Sequence, residues 1–81
     1  MTPQPAQSVA TPEAIASIWA QILGHNEFNH DESFFDVGGH SLVANTLVVE
    51  IEHRFGVSLP VVAVFDFPTI NELVQKVNEA R

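Results

Sequence analysis

The chain has 81 residues, of which 46% are apolar, so it can form one small domain with a hydrophobic core. Its three basic residues stand against ten acidic ones, which excludes the basic surface that nucleic acid or an anionic membrane would require. It contains no cysteine, so disulfides and thiolate catalysis are excluded, and any thioester would need a thiol from an attached group.

The first ten residues, MTPQPAQSVA, contain two prolines and two glutamines and show no apolar period. This composition predicts a flexible linker over residues 1–10 and a single domain over residues 11–81. No apolar run has the length of a membrane span, and no secretory signal pattern is present. We therefore expect a cytoplasmic, monomeric domain that binds protein partners and neither membranes nor nucleic acid.

A first helix is predicted after Thr11, because threonine is a favoured N-cap and Pro12 suits the first helical position. Gly24 predicts the end of this helix. Apolar residues recur between them at helical spacing and should face the core: Ile15, Ile18, Trp19, Ile22 and Leu23.

A long loop over residues 25–40 separates this helix from the next one. Loops of this length in small domains are usually functional or fixed by their own side chains. We expect Phe28, Phe34 and Phe35 to fix this loop to the core. Residues 31–33, Asp-Glu-Ser, offer capping groups for a short helical turn before the two adjacent phenylalanines.

A second helix is predicted from Ser41 to Phe55, and Gly56 predicts its end. Its inward face consists of apolar residues at helical spacing: Ala44, Leu47, Val48, Ile51 and Phe55. The opposite face carries Leu42, Thr46, Val49 and His53. The apolar members of that face are either scattered surface residues or a stripe on which a partner docks.

The segment over residues 61–65, VVAVF, favours a strand by local propensity, although a lone strand in a helical domain could not satisfy its backbone. Thr69 and Glu72 form a capping box that predicts the start of a last helix. Glu72 and Lys76 are expected to form an i, i+4 ion pair. The apolar face of this helix consists of Ile70, Leu73, Val74 and Val77.

Ser41 follows two glycines and begins the second helical pattern. Without a Cβ, Gly38 and Gly39 can adopt positive φ and allow another surface to approach the hydroxyl. Unpaired N–H groups at a helix start would favour an attached anion such as a phosphodiester, which predicts a modification site. The alternative interpretation is that Ser41 is an ordinary helix N-cap.

The centre of the chain resembles the thiolation domain, or peptidyl carrier protein, of nonribosomal peptide synthetases. The resemblance covers about residues 15–77 and rests on FFDVGGHSL at residues 34–42, followed by Gly56, Leu59-Pro60, Phe65 and Pro68-Thr69-Ile70. It implies an all-α fold, a small four-helix bundle with a long first loop and a short third helix at residues 61–65. It also implies that Ser41 carries 4'-phosphopantetheine, within a motif formed by Asp36, Gly38, Gly39, His40 and Leu42.

The same resemblance implies a function without catalysis by the chain itself. A phosphopantetheinyl transferase would attach the group from coenzyme A, using magnesium. An adenylation domain would then load an amino acid as a thioester, and condensation or thioesterase domains would receive it. The arm fixed to one residue would present the acyl group at high effective concentration to each partner.

Partner docking is expected on small, partly apolar patches beside the attachment site. The candidates are Leu42, Val43, Thr46, Val49, Val62 and Phe67. The chain departs from the family in charge, because Glu50 and Glu52 precede a single Arg54 where arginines are common. His40 favours a peptidyl carrier over polyketide and fatty-acid acyl carriers, in which aspartate commonly precedes the serine. The alternative within the superfamily is an acyl carrier protein of a polyketide or hybrid pathway.

Other chemistries match the sequence poorly. An esterase elbow would need a glycine where Val43 stands, and adjacent His40 and Ser41 rarely align as base and nucleophile. The four histidines, at positions 25, 30, 40 and 53, lack the spacing of a helical metal site, and we predict no metal. The remaining alternative from another class is an acidic helical interaction module in which Ser41 is only a cap.

Overall fold

The computed structural model describes residues 9–80, and within that range the chain is helical with no strand. Its four helices are α1 (Pro12–Leu23), α2 (Ser41–Phe55), α3 (Val62–Asp66) and α4 (Ile70–Ala80), with one 3₁₀ turn, Phe34–Asp36, between α1 and α2. The predicted four-helix bundle, with its long first loop and short third helix, is therefore confirmed. Most of the linker predicted over residues 1–10 lies outside the described residues.

The ends of α1 are fixed by the predicted local signals. The Thr11 side chain accepts a hydrogen bond from the Ala14 N–H at 3.1 Å, and Pro12 occupies the first turn. Gly24 ends the helix in the left-handed conformation, with φ of 83°, and its N–H donates to the Ala20 carbonyl. Between these ends, α1 packs against both α2 and α4.

Trp19 lies at the centre of the core. It is fully buried, and its ring contacts Phe28 and Phe34 edge to face, at centroid distances of 5.4 and 5.1 Å. Ile15 and Ile18 are also fully buried, whereas Ile22 and Leu23 pack at the core's margin. The predicted apolar stripe of α1 therefore faces the core.

The long loop between α1 and α2 is fastened at several points to the α3–α4 region. The Phe34 N–H donates to the Pro68 carbonyl at 2.7 Å, and the His30 carbonyl accepts from the Asn71 N–H at 3.1 Å. Ser33 caps the 3₁₀ turn through the Phe35 N–H. The expectation that the phenylalanines fix this loop is confirmed, and backbone hydrogen bonds add to them.

Local propensity favours a strand at residues 61–65, but the structure has a helix there. Residues 62–66 form α3 because Ala63 and Val64 are buried against the bundle, where a lone strand would find no partner. The helix is closed by a hydrogen bond from the Phe67 N–H to the Ala63 carbonyl at 2.8 Å. Packing thus decides the conformation of this segment.

The capping box of α4 is confirmed, but the ion pair predicted within that helix is wrong. The Glu72 N–H donates to Thr69 Oγ1 at 3.1 Å, while the Glu72 carboxylate accepts from the Thr69 hydroxyl at 2.9 Å. Lys76 instead contacts Glu79 at 3.2 Å, and its ammonium lies 4.6 Å from the centroid of the Phe67 ring. The Glu72 carboxylate is directed to the cap, where its Oε1 accepts from Thr69.

An amide clamp connects the start of the described chain to α4. The Ala10 N–H donates to Asn78 Oδ1 at 2.9 Å, and Asn78 Nδ2 donates back to the Ala10 carbonyl at 3.0 Å. The Ala10 side chain is only 3% exposed and belongs to the core cluster. The packed unit therefore includes Ala10, one residue before the predicted start of the domain.

We expect Asn78→Ala to destabilise the domain by about 1–2 kcal/mol more than Gln75→Ala, because it removes both hydrogen bonds of the clamp. Gln75 is an exposed residue of the same helix, and both substitutions raise helix propensity, so their difference isolates the clamp. Urea unfolding followed by circular dichroism measures both free energies. Equal unfolding free energies for the two variants would contradict a stabilising role for the clamp.

Candidate functional site

Ser41 is the first residue of α2, and its side chain is exposed. The N-cap is His40, whose backbone is extended and whose carbonyl accepts the Ala44 N–H at 2.8 Å. The alternative in which Ser41 is the helix cap is therefore wrong. Its hydroxyl remains on the surface at the head of a helix of 15 residues.

Gly38 and Gly39, which lie shortly before Ser41, are needed for different physical reasons. Gly38 has a φ of 117°, which side-chain-bearing residues rarely adopt. Gly39 does not have positive φ, but a Cβ there would overlap the Phe34 ring and lie 2.7 Å from the Phe34 carbonyl oxygen. Of the two glycines that can adopt positive φ, only Gly38 does so. Gly39 is required by the packing beneath the loop.

Phe34 holds the loop that leads to Ser41. Its carbonyl oxygen accepts hydrogen bonds from the Val37 N–H at 3.4 Å and from the Gly39 N–H at 2.9 Å. Asp36, the last residue of the 3₁₀ turn, is exposed, and its N–H donates to the Ser33 carbonyl. The motif is therefore a tight turn built on one buried aromatic residue.

No hydrogen bond in the described range joins the side chains of Asp36, His40 and Ser41. His40 is exposed and makes no side-chain bond to the first turn of α2. Across residues 9–80 no three His, Asp or Glu side chains lie close enough to share a metal ion. In the same range no helix has the length and apolarity needed to cross a membrane.

The outward face of α2 is placed as predicted. Leu42 is 74% exposed and Val49 is 51% exposed, and Thr46 between them is also exposed. Val43 is half-buried and packs against the core. Leu42 and Val49 therefore offer accessible apolar surface on the helix that begins at Ser41, whereas Val43 offers little.

The two docking candidates in and after α3, Val62 and Phe67, differ in exposure. Val62 is 53% exposed, but Phe67 is half-buried, covered by Lys76 at the edge of a hollow against α4. Phe65, which was missed as a candidate, is 49% exposed and stacks on Phe35 at a centroid distance of 4.9 Å. Its spacing of three from Val62 places both on the outer face of α3 and could have identified it.

The charges on α2 are arranged unevenly. Arg54 donates to the Gln21 side chain at 2.8 Å and lies 3.6 Å from the Glu50 carboxylate, so its charge is partly neutralised near the end of the helix. The first turn of α2 contains no acidic residue, whereas the first turns of α1 and α4 contain Glu13 and Glu72. The start of α2 is therefore suited to an attached anion.

We expect Gly39→Ala to destabilise the domain by about 1–3 kcal/mol, because the new methyl group would force Phe34 to move. Trp19 is the only tryptophan and contacts Phe34, so its fluorescence emission should shift as well. Gly24→Ala is a useful comparison, since a Cβ there would meet no atom within 4 Å and only backbone strain would result. Wild-type stability and emission in Gly39→Ala would contradict this account of the turn.

Comparison with known proteins places this geometry in a family. The family model described as "Phosphopantetheine attachment site" matches residues 13–77. Tyrocidine synthase 3 of Brevibacillus parabrevis is 39% identical over 90% of this chain, and L-2-aminoadipate reductase of Schizosaccharomyces pombe is 38% identical over 89%. The chain spans only 1% and 5% of these two relatives.

A solved structure shows the same fold. It contains a peptidyl carrier protein in complex with coenzyme A and the phosphopantetheine transferase Sfp. The similarity has a TM-score of 0.82 with 32% sequence identity, and covers 89% of this chain and 94% of the matched chain. The match of the family model over most of the domain, together with this likeness, shows that the chain belongs to the phosphopantetheine-attachment family.

Proposed function

We propose that this chain is a peptidyl carrier domain and that Ser41 is its attachment residue for 4'-phosphopantetheine. The observation that carries the proposal is the exposed hydroxyl of Ser41, outside the cap position, in a chain of the phosphopantetheine-attachment family. The similar carrier solved with a phosphopantetheine transferase and coenzyme A supports the same donor and the same class of modifying enzyme here.

The residues at the start of α2 fit this group. The His40 side chain makes no capping hydrogen bond, so it leaves the first N–H groups of α2 free to face a phosphodiester. The absence of acidic residues from that turn avoids repulsion of the anion, although the whole chain has a net charge of −7. The exposed position of Ser41 gives a modifying enzyme access to the oxygen.

The modification would exchange the phosphoanhydride bond of coenzyme A for a phosphodiester bond at Ser41. The Ser41 oxygen attacks the phosphorus nearest the pantetheine in coenzyme A, its proton passes to a base on the transferase, and the nucleotide part leaves with the bonding electrons. The chain contributes a hydroxyl at a fixed position, which reduces the entropic cost of alignment. Once attached, the group supplies the thiol that this cysteine-free chain lacks, and it holds an aminoacyl or peptidyl group as a thioester.

In this proposal the chain itself is not a catalyst. The side chains of Asp36 and His40 form no hydrogen bond with Ser41 in the described range, which supports a serine that is acted upon by other enzymes. Adenylation, condensation and thioesterase domains would load and receive the acyl group, consistent with the similarity to tyrocidine synthase 3. Tethering raises the effective concentration of the acyl group at each of them. The cytoplasmic location expected from the sequence stays a prediction.

The likeness to L-2-aminoadipate reductase bears on which part of the function is shared. That relative is named for a reduction, whereas tyrocidine synthase 3 is named as a synthase, yet both contain a region similar to this chain. The common region therefore corresponds to the carrier and not to the final reaction. The presence of histidine rather than aspartate at position 40 supports assignment to a peptidyl carrier over a polyketide acyl carrier.

We further propose that partners dock on the exposed apolar residues of α2 and α3, namely Leu42, Val49, Val62 and Phe65. The stacking of Phe65 on Phe35 ties α3 to the turn that leads into Ser41, so a partner of the arm would meet a fixed surface. Phe67 contributes less than its sequence position implied, because Lys76 covers its ring. Small apolar contacts of this kind suit weak and exchangeable binding.

The attachment site can be tested by incubating the chain with coenzyme A, magnesium and a broad-specificity phosphopantetheinyl transferase. We expect the intact mass to rise by one phosphopantetheine group, because Ser41 is the exposed acceptor. Ser41→Ala should show no gain, whereas Ser58→Ala, which changes another exposed serine, should be modified like the wild type. An unchanged wild-type mass, or a gain that persists in Ser41→Ala, would refute the proposal.

Docking can be tested through the same reaction. Leu42→Ala should lower kcat/KM for the transferase by about tenfold, mainly through KM, because a side chain that is 74% exposed would be buried against the enzyme. Val9→Ala, a truncation of another exposed apolar residue beside the clamp between Ala10 and Asn78, should leave kcat/KM within about twofold of wild type. Equal losses in the two variants would argue against a docking role for Leu42.

A further inference from the structure

We propose that His25 is a positioning residue for Ser41, and that it acts as the neutral imidazole protonated on Nε2. The inference rests on the proposed attachment at Ser41 and adds a residue that lies far from it in sequence, just after the glycine that ends α1. Its ring holds the carbonyl of Val37, and thereby one end of the glycine turn that presents the serine.

The hydrogen bonds assign the tautomer. Glu27 donates its backbone N–H to His25 Nδ1 at 3.0 Å, so Nδ1 must supply a lone pair and cannot carry a proton. His25 Nε2 lies 2.8 Å from the Val37 carbonyl oxygen, which can only accept. A neutral ring with an unprotonated Nδ1 carries its proton on Nε2, so Nε2 donates to Val37.

The position of Val37 makes this bond important. Val37 is followed by Gly38, which has a φ of 117°. As a glycine, Gly38 can adopt many other backbone conformations. On the other side of Gly38, the Gly39 N–H is held by the Phe34 carbonyl at 2.9 Å. The bonds to Val37 and Gly39 therefore fix the backbone on both sides of Gly38.

The ring of His25 is itself held in place. It is half-buried and meets the Phe28 ring edge to face at a centroid distance of 5.9 Å. A Cβ placed on Gly38 would lie 3.8 Å from His25 Nε2 and 3.8 Å from Leu23 Cδ2, so the turn passes directly over the end of α1. His25 thus fixes the position of the turn relative to α1.

Loss of the Val37 bond would free the turn without removing any helix. Transfer to Ser41 requires its oxygen to lie in line with the phosphate, and a small increase in the freedom of the preceding turn lowers the fraction of time spent in that geometry. The consequence should therefore appear in the rate of modification and not in helix content.

Two variants separate the two hydrogen bonds of the ring. In His25→Gln the terminal amide nitrogen reaches about as far as Nε2 and can donate to Val37. In His25→Asn the shorter amide can accept from Glu27 at the place of Nδ1, but it falls short of Val37. Comparison of the two variants therefore tests the Val37 bond specifically.

We expect His25→Asn to lower kcat/KM for phosphopantetheinylation by about fivefold at wild-type helix content, and His25→Gln to stay within about twofold of wild type. The imidazole ¹⁵N spectrum of the unmodified wild type should show a protonated Nε2 and a bare Nδ1 for His25. A proton on Nδ1, or equal rates in the two variants, would overturn the role of His25 alone. A wild-type chain that gains no mass would overturn the attachment proposal, and the role of His25 with it.

Discussion

The placement of Phe34 is the constraint on which the rest of the structure depends. Its fully buried ring packs against Trp19 of α1 and leaves no room for a Cβ on Gly39. Its N–H donates to the Pro68 carbonyl before α4, while its own carbonyl holds the Gly39 N–H. One residue thus joins the core, the segment before α4 and the turn before α2. These contacts hold the long loop in a defined position.

That constraint explains how a small acidic domain presents the serine oxygen at which we propose attachment. The turn held by Phe34 leads into His40, which is the N-cap of α2. Ser41 follows as the first helical residue and is exposed. The family to which the chain belongs is described by attachment of phosphopantetheine. For the attachment that we propose at Ser41, the domain offers an exposed residue and a helix start free of acidic residues.

Much of the fold could be predicted from the sequence because the signals are local. Thr11 and Gly24 determine the ends of α1, and the capping box of Thr69 starts α4. Features that depend on tertiary contacts could not be predicted this way. The helical state of α3 depends on burial of Ala63 and Val64. The stacking of Phe65 on Phe35, and the overlap with Phe34 that a Cβ at position 39 would cause, also depend on tertiary contacts.

Fragmentation mass spectrometry of the modified chain tests the central claim most directly, because it locates the added group on a single residue. After reaction with coenzyme A and a phosphopantetheinyl transferase, peptides containing Ser41 should carry the whole of the added mass, and fragment ions should assign it to that side chain. Peptides with Ser17, Ser33 or Ser58 should be unchanged. Modification at one of those serines would contradict the account.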